Sequence, residues 1–222
     1  MLLLALVAAA ACGQLGTDLE QVVALEVVFP DSGRLEIGDT LRPHARALNG
    51  HGDSVAAQAY WTSLDTAIVT VVDSGTGVTF GKAIGTGRLQ ARFGALRSNP
   101  ENVFVFARLD SASAAGPSRD TVTVSTPDSV SDSLLVKAWA GPSGAPGRPV
   151  AYTLAIYPAG ATTVTFVPKA TVLTDANGIT AVRLRLTQGP VPDSVVVSAA
   201  VRRPNGTDVP GSPRLFVVEF RP

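Results

Sequence analysis

Short segments in which apolar and polar residues alternate constrain this chain more than any other feature. Residues 41–47 (LRPHARA) alternate strictly, which would place Leu41, Ala45 and Ala47 in a core and the intervening side chains in solvent. Residues 182–186 (VRLRL) repeat the pattern in the second half. Because the side chains of a strand point alternately to its two faces, this pattern predicts half-buried β-strands.

Turn-forming residues separate these segments at regular intervals. Asn49-Gly50 and residues 175–178 (DANG) are two examples, and both contain residues that adopt left-handed backbone at low cost. No convincing helical periodicity follows residue 22. Many short strands joined by such turns predict an all-β fold, a sandwich or a barrel.

A predicted linker divides the chain into pieces of about 85 and 100 residues, each the size of one immunoglobulin-like β-sandwich, so we expect two in tandem. Residues 108–119 (RLDSASAAGPSR) are small and polar with no apolar stripe, and we interpret them as a linker. A single barrel of about 200 residues with one long loop is the alternative. The predicted organisation is a signal peptide at 1–11, a tether at 12–21, sandwiches at 22–107 and 120–222, and the linker at 108–119.

Composition argues against several classes of function. Lysine and arginine total 18, as do aspartate and glutamate, so the chain lacks the basic excess of a nucleic-acid-binding protein. One cysteine and two histidines argue against a disulfide framework, a cysteine-rich zinc site and a multi-histidine metal site. We therefore expect no metal, no cofactor and no nucleic-acid partner.

The N-terminal residues predict an export signal. Residues 2–11 form an uncharged apolar run that is too short to span a bilayer and suits the core of a signal peptide. An ordinary secretory signal and a buried apolar helix are the alternatives.

The small residues before Cys12 resemble the lipobox of bacterial lipoproteins. That resemblance implies cleavage before Cys12, lipidation of its sulfur and attachment to the cell envelope, since more than one acyl chain anchors stably. In the sorting rule of some bacteria, Gly13 rather than Asp after the cysteine favours the outer membrane.

Two stretches resemble known domain families. Residues 35–40 (LEIGDT), 60–71 (YWTSLDTAIVTV), 77–79 (GVT) and 85–87 (GTG) resemble the bacterial Ig-like domain, group 2, over about residues 22–107. The departures include Ile37, Thr70, Phe80 and Gly87. Trp61 of this pattern would fill the sandwich interior.

Residues 147–154 (GRPVAYTL) and 174–182 (TDANGITAV) are similar to the invasin/intimin-type bacterial Ig-like domain, group 1. Tyr152 stands where that family has Phe, and Thr180 where it has Ala. The tail would add a hairpin ending in a strand at 214–220. Both resemblances imply stiff domains that space, present or adhere and rarely catalyse. The expected function is a surface spacer or adhesion module, with a carbohydrate-binding module as the alternative.

Isolated polar residues offer weak candidate sites. His44 and His51 lie near Asp53, but two solvated histidines are the simpler interpretation. Gly52-Asp53-Ser54 has no following helix and no oriented base, so we expect no hydrolase and no catalytic residue. Asp110, Asp120, Asp128 and Asp132 flank the linker, where Ca²⁺ could bind between the domains, although solvated turn carboxylates are the simpler interpretation.

Trp139 is the candidate contact residue. Within residues 134–140 (LLVKAWA), the family alignment places Trp139 outward beside Leu135 and Lys137. The residues that it places inward are Leu134, Val136, Ala138 and Ala140. An exposed Trp often marks an interaction surface. Packing against the first sandwich and a reversed register that buries the ring are the alternatives.

Overall fold

A computed structural model describes residues 19–124, 128–159, 163–187 and 189–221, and its regular structure is almost entirely strand. The predicted signal peptide, Cys12 and most of the predicted tether lie outside these ranges. The strands are β1 (Val22–Val28), β2 (Arg34–Glu36), β3 (Thr40–Leu41), β4 (His44–Asn49), β5 (Ser54–Val55), β6 (Tyr60–Ser63), β7 (Val69–Asp73), β8 (Val78–Gly81), β9 (Gly85–Phe93), β10 (Leu96–Arg97), β11 (Glu101–Phe106), β12 (Ser111–Ala114), β13 (Arg119–Thr123), β14 (Leu134–Ala140), β15 (Ser143–Gly144), β16 (Pro149–Tyr157), β17 (Val164–Val167), β18 (Thr171–Leu173), β19 (Ile179–Leu186), β20 (Ser194–Val201) and β21 (Arg214–Arg221).

The chain divides into two compact units. In the described residues, the first unit comprises 19–33, 40–80 and 86–103, and the second comprises 34–39, 81–85 and 104–221. The sequence-based boundaries differ from this division, because the segments 34–39, 81–85 and 104–107 group with the second unit.

The first unit has the strand order of an immunoglobulin sandwich. One side holds β1-β4-β5 and β3-β8-β7, and on the other side β9 pairs with β6, β10 and β11. With β3 and β4 as two halves of one strand, the two sides correspond to strands A-B-E-D and C-F-G. Pro43 lies between β3 and β4 and interrupts this strand, because proline cannot donate a ladder hydrogen bond.

Trp61 lies at the centre of the first unit's core. Its side chain is only 5% exposed, and it packs with buried apolar residues from both sides, including Leu25, Ala47 and Ala91. This confirms the inward position expected for Trp61, and the burial of Leu41 and Ala47 confirms the parity read from residues 41–47.

Gly77 allows the turn after β7 to lie directly on the indole of Trp61. Its φ is +75°, and a Cβ there would lie 2.7 Å from Nε1 of Trp61. A side chain at this position is therefore opposed by both the backbone conformation and the ring.

The second unit also has the immunoglobulin strand order. Its sheets run β12-β14-β19-β17 and β13-β21-β20-β16-β18, which correspond to A-B-E-D and to C-F-G with one short strand added at each edge. β21 covers the strand predicted at 214–220. The all-β sandwich prediction is confirmed, and the separate open sheets of the described residues do not form the single barrel.

The linker interpretation is wrong for part of residues 108–119. Residues 111–114 form β12, which pairs antiparallel with β14, and both Leu109 and Ala112 are buried. Small side chains do not prevent this, because the backbone supplies the ladder hydrogen bonds and Ala112 fits a tight core position.

A hydroxyl pair joins the two sheets of the second unit. The Tyr152 hydroxyl on β16 hydrogen-bonds the Thr180 hydroxyl on β19, and both residues are almost fully buried. These are the two positions at which the sequence departs from the resembled group 1 pattern, so the two departures compensate each other. Burial raises the pKa of Tyr152, and the hydrogen bond from Thr180 opposes this rise.

We expect Gly77→Ala to destabilise the first unit more than Gly52→Ala does. Gly52 also has positive φ, but a Cβ added there would meet nothing within 4 Å. Both changes incur the left-handed backbone cost of about 1–2 kcal/mol, and Gly77→Ala adds overpacking against Trp61 of about 1–3 kcal/mol. Urea unfolding followed by tryptophan fluorescence measures both, and equal losses would show that contact with the indole contributes nothing.

We expect Tyr152→Phe and Thr180→Ala each to lower the free energy of unfolding by about 1–3 kcal/mol, because each leaves a buried hydroxyl without its partner. The double variant should lose less than the sum of the two. Additive losses in urea unfolding would contradict the pairing.

The same pair predicts a pH dependence. The folded state raises the pKa of Tyr152 above its unfolded value of 10.0, so this stabilisation is complete below that pH and is lost as the pH rises through the folded-state pKa. Melting temperatures measured between pH 8 and pH 11 should therefore fall less in Tyr152→Phe than in the unaltered chain.

Candidate interaction surface at Trp139

Trp139 lies on the outer face of β14 in the second unit. Leu134, Val136 and Ala138 are buried, whereas Lys137 and Trp139 are partly exposed. The alternative of a reversed register with a core Trp139 is therefore wrong, and the parity from the family resemblance holds.

Neighbouring side chains hold the indole in place. Nε1 of Trp139 donates a hydrogen bond to Oγ of Ser113 at 3.0 Å, and Nζ of Lys137 lies 3.7 Å from the ring centroid. Ser111 lies directly opposite Trp139 in the β12–β14 ladder. The ring is thus preorganised, with its only donor satisfied and one face covered by an ammonium group. That it forms a contact surface stays a prediction.

The two histidines lie in the first unit, and within the described residues neither belongs to a group that could hold a metal ion. His44 is exposed at the start of β4, and Nδ1 of His51 lies 3.8 Å from a carboxylate oxygen of Glu20. Oδ1 of Asn49 accepts hydrogen bonds from the backbone of His51 and Asp53, which closes this loop, and Ser54 begins β5 rather than a helix.

The four aspartates considered for Ca²⁺ do not form one site, although Asp120 and Asp132 line the same pocket. Oδ2 of Asp120 accepts a hydrogen bond from the backbone N–H of Asp132 at 2.8 Å, while a carboxylate oxygen of Asp110 accepts one from Gly141. Asp128 has a positive φ of 86°. Across the described ranges, no group of three or more His, Cys, Asp and Glu side chains could hold a metal ion. These ranges also contain no helix that is long and apolar enough to cross a membrane.

Sequence reasoning missed a buried ion cluster in the second unit. Glu36 on β2 is fully buried, and its Oε1 lies 2.9 Å from Nη2 of Arg148, whose side chain is only 3% exposed. The same oxygen accepts a hydrogen bond from the backbone N–H of Leu109 at 3.1 Å. Nε of Arg203 lies 3.6 Å from Oε2.

The two arginines also bind the backbone that leads into β12. Arg148 donates to the carbonyl of Ala107, and its guanidinium lies 4.7 Å from the ring centroid of Phe106. Arg203 donates to the carbonyl of Leu109 from Nε and Nη2, at 3.1 and 2.8 Å. Glu36 and Arg148 occupy variable positions of the two resembled patterns, so no pattern signals their pairing.

No protein-family model matches this chain, and no curated protein matches it. Among solved structures, the adhesin InvE of Yersinia pseudotuberculosis aligns at 17% identity and a TM-score of 0.40, over 89% of this chain and 59% of that one. Domains 4 and 5 of the S-layer protein SbsC align at 11% identity and 0.34, over 91% of this chain and 100% of that one. The D0-D1 domain of Intimin aligns at 17% identity and 0.30, over 86% and 97%. All three TM-scores are below 0.5.

We expect Arg148→Ala to destabilise the second unit by about 3–5 kcal/mol, because removing one member of a buried ion pair leaves the other charge uncompensated. The matched control is Arg46→Ala, which breaks a 2.7 Å pair with Glu26 whose side chains are 54% and 47% exposed. Such a pair contributes at most about 1 kcal/mol. Chemical denaturation of both variants should separate them clearly, and similar losses would show that the Glu36 cluster stabilises no more than a surface pair does.

Proposed function

We propose that this protein is an exported, lipid-anchored bacterial envelope protein whose Ig-like sandwiches act as a surface spacer or adhesion module. Its anchor is a diacylglycerol on Cys12, and its location is the outer membrane or cell surface. It has no catalytic activity of its own. The observation that carries this proposal is the apolar run 2–11 with small residues before Cys12, directly preceding two sandwiches.

The strand order supports a role in presentation and contact. Both units have the immunoglobulin arrangement, in which the two sheets enclose the core and leave their outer faces to solvent. Such faces can vary in chemistry without loss of the core, so they suit an adhesive or spacing role. The preorganised Trp139 is the contact residue proposed for the second unit.

A carbohydrate-binding module is the second candidate function. Tyr60 favours it, because this aromatic side chain is 44% exposed on a sheet face of the first unit. Tyrosine combines an apolar ring with a polar hydroxyl, and such side chains are common at interaction surfaces.

Metabolic labelling with an alkyne analogue of palmitate tests the anchor. In a bacterial host that makes the full chain, the unaltered protein should take up the label and sediment with membranes. Cys12→Ala should remain unlabelled. Equal labelling of the two proteins would contradict the lipid-anchor proposal.

Protease treatment of intact cells tests surface display. A displayed chain should be degraded in whole cells, while a periplasmic marker survives. Survival of the chain in whole cells, with degradation only after lysis, would contradict display at the surface.

A further inference from the structure

Three side chains form a straight row across neighbouring strands of the first unit. Tyr60 on β6 lies directly opposite Arg92 on β9, and Arg92 lies directly opposite Arg97 on β10. Directly opposed residues of antiparallel strands share one face of the sheet, so the three side chains project together. We call Tyr60, Arg92 and Arg97 the arginine row.

The two arginines of this row carry charge that no acid of the described ranges neutralises. Like charges directly opposite each other destabilise a sheet. Within the described residues, neither Arg92 nor Arg97 forms an ion pair, whereas Arg88 on the same strand pairs with Asp65 at 2.8 Å.

The side chains that contact the two arginines are neutral rather than acidic. The guanidinium of Arg92 lies 5.3 Å from the ring centroid of Tyr60, and Nη1 of Arg97 lies 3.4 Å from Oε1 of Gln90. A ring and an amide orient the two guanidiniums without cancelling their charge, so both remain able to bind an anion.

The arrangement selects a particular chemistry. Arginine binds carboxylate and phosphate groups with two parallel hydrogen bonds, and a sulfate group presents the same tetrahedral set of acceptor oxygens as phosphate. Neighbouring strands lie about 4.8 Å apart, so the row spans roughly 10 Å from the ring of Tyr60 to Arg97, which is enough for a sugar on the ring and an anionic group on the arginines. Thr62 lies directly opposite Gln90 in the adjacent row, and its exposed hydroxyl can pair with the hydroxyl groups of a sugar.

We infer that the arginine row binds an anionic polysaccharide through its carboxylate or sulfate groups, with the exposed ring of Tyr60 against a sugar. The inference rests on the proposed role in surface interaction and names the ligand class for the first unit. It does not depend on the lipid on Cys12 or on Trp139.

The test is a titration of the full chain, purified in mild detergent at low ionic strength, with polygalacturonate, dextran sulfate, neutral dextran and polyglutamate. The chain should bind one or both anionic polysaccharides and not neutral dextran. Added salt should weaken binding, because the contacts are ionic.

Charge-removing variants locate the site. Arg92→Gln and Arg97→Gln should each weaken binding about tenfold or more, as expected for a lost hydrogen bond to a charged group. Tyr60→Ala should also weaken it, while Tyr60→Phe keeps the ring and should retain most of it. Arg42→Gln is the matched control, since Arg42 is an exposed arginine outside the row, and it should change affinity less than twofold. Circular dichroism confirms that each variant is folded.

Three results would overturn the inference. They are no binding to either anionic polysaccharide, an equal loss in Arg42→Gln, and tighter binding to polyglutamate, which would indicate an acidic peptide. A chain that is labelled with lipid and displayed on cells but shows any of these results would refute the inference and leave the proposed function standing.

Discussion

The second unit depends on one fully buried carboxylate, that of Glu36. Removing the Glu36 carboxylate from water is costly, and one nearly buried arginine, a second arginine and a backbone N–H offset part of that cost, while Oε2 accepts no hydrogen bond in the described residues. Because Arg148 and Arg203 also bind the carbonyls of Ala107 and Leu109, one acid organises both the short strand β2 and the entry to β12. The parallel pairing of β2 with the end of β11 has only three residue pairs. The ion cluster around Glu36 therefore adds contacts that hold β2 in place.

Local patterns predicted the strands well, and their failures have a physical cause. Alternation identified β4 and β19, and the position of Trp61 within its pattern identified a core residue, because parity and side-chain size act over a few residues. The segment 111–114 lacks bulky apolar residues, so nothing local distinguishes strand β12 from a linker. Its place is set by the partner β14 and by burial of Leu109.

Local sequence patterns could not predict which distant residues contact each other. Tyr152 and Thr180 each stood out as departures from a familiar pattern, but only the fold shows that their hydroxyls meet. Glu36 and Arg148 did not stand out at all. The aromatic residues show the same limit. Alternation left two faces open for Trp139, and the family resemblance favoured the outer one, while the charge around Tyr60 required the register of three strands.

The last strand of the fold has a mechanical consequence. β13 and β21 run parallel over five residue pairs, from Arg119 with Val217 to Thr123 with Arg221. The chain therefore enters this sheet at one end of the pair and leaves it at the other. Tension applied between the start of β13 and the end of β21 would load these hydrogen bonds in shear, so that they resist together. A hairpin pulled open from its two ends would instead lose its hydrogen bonds one after another.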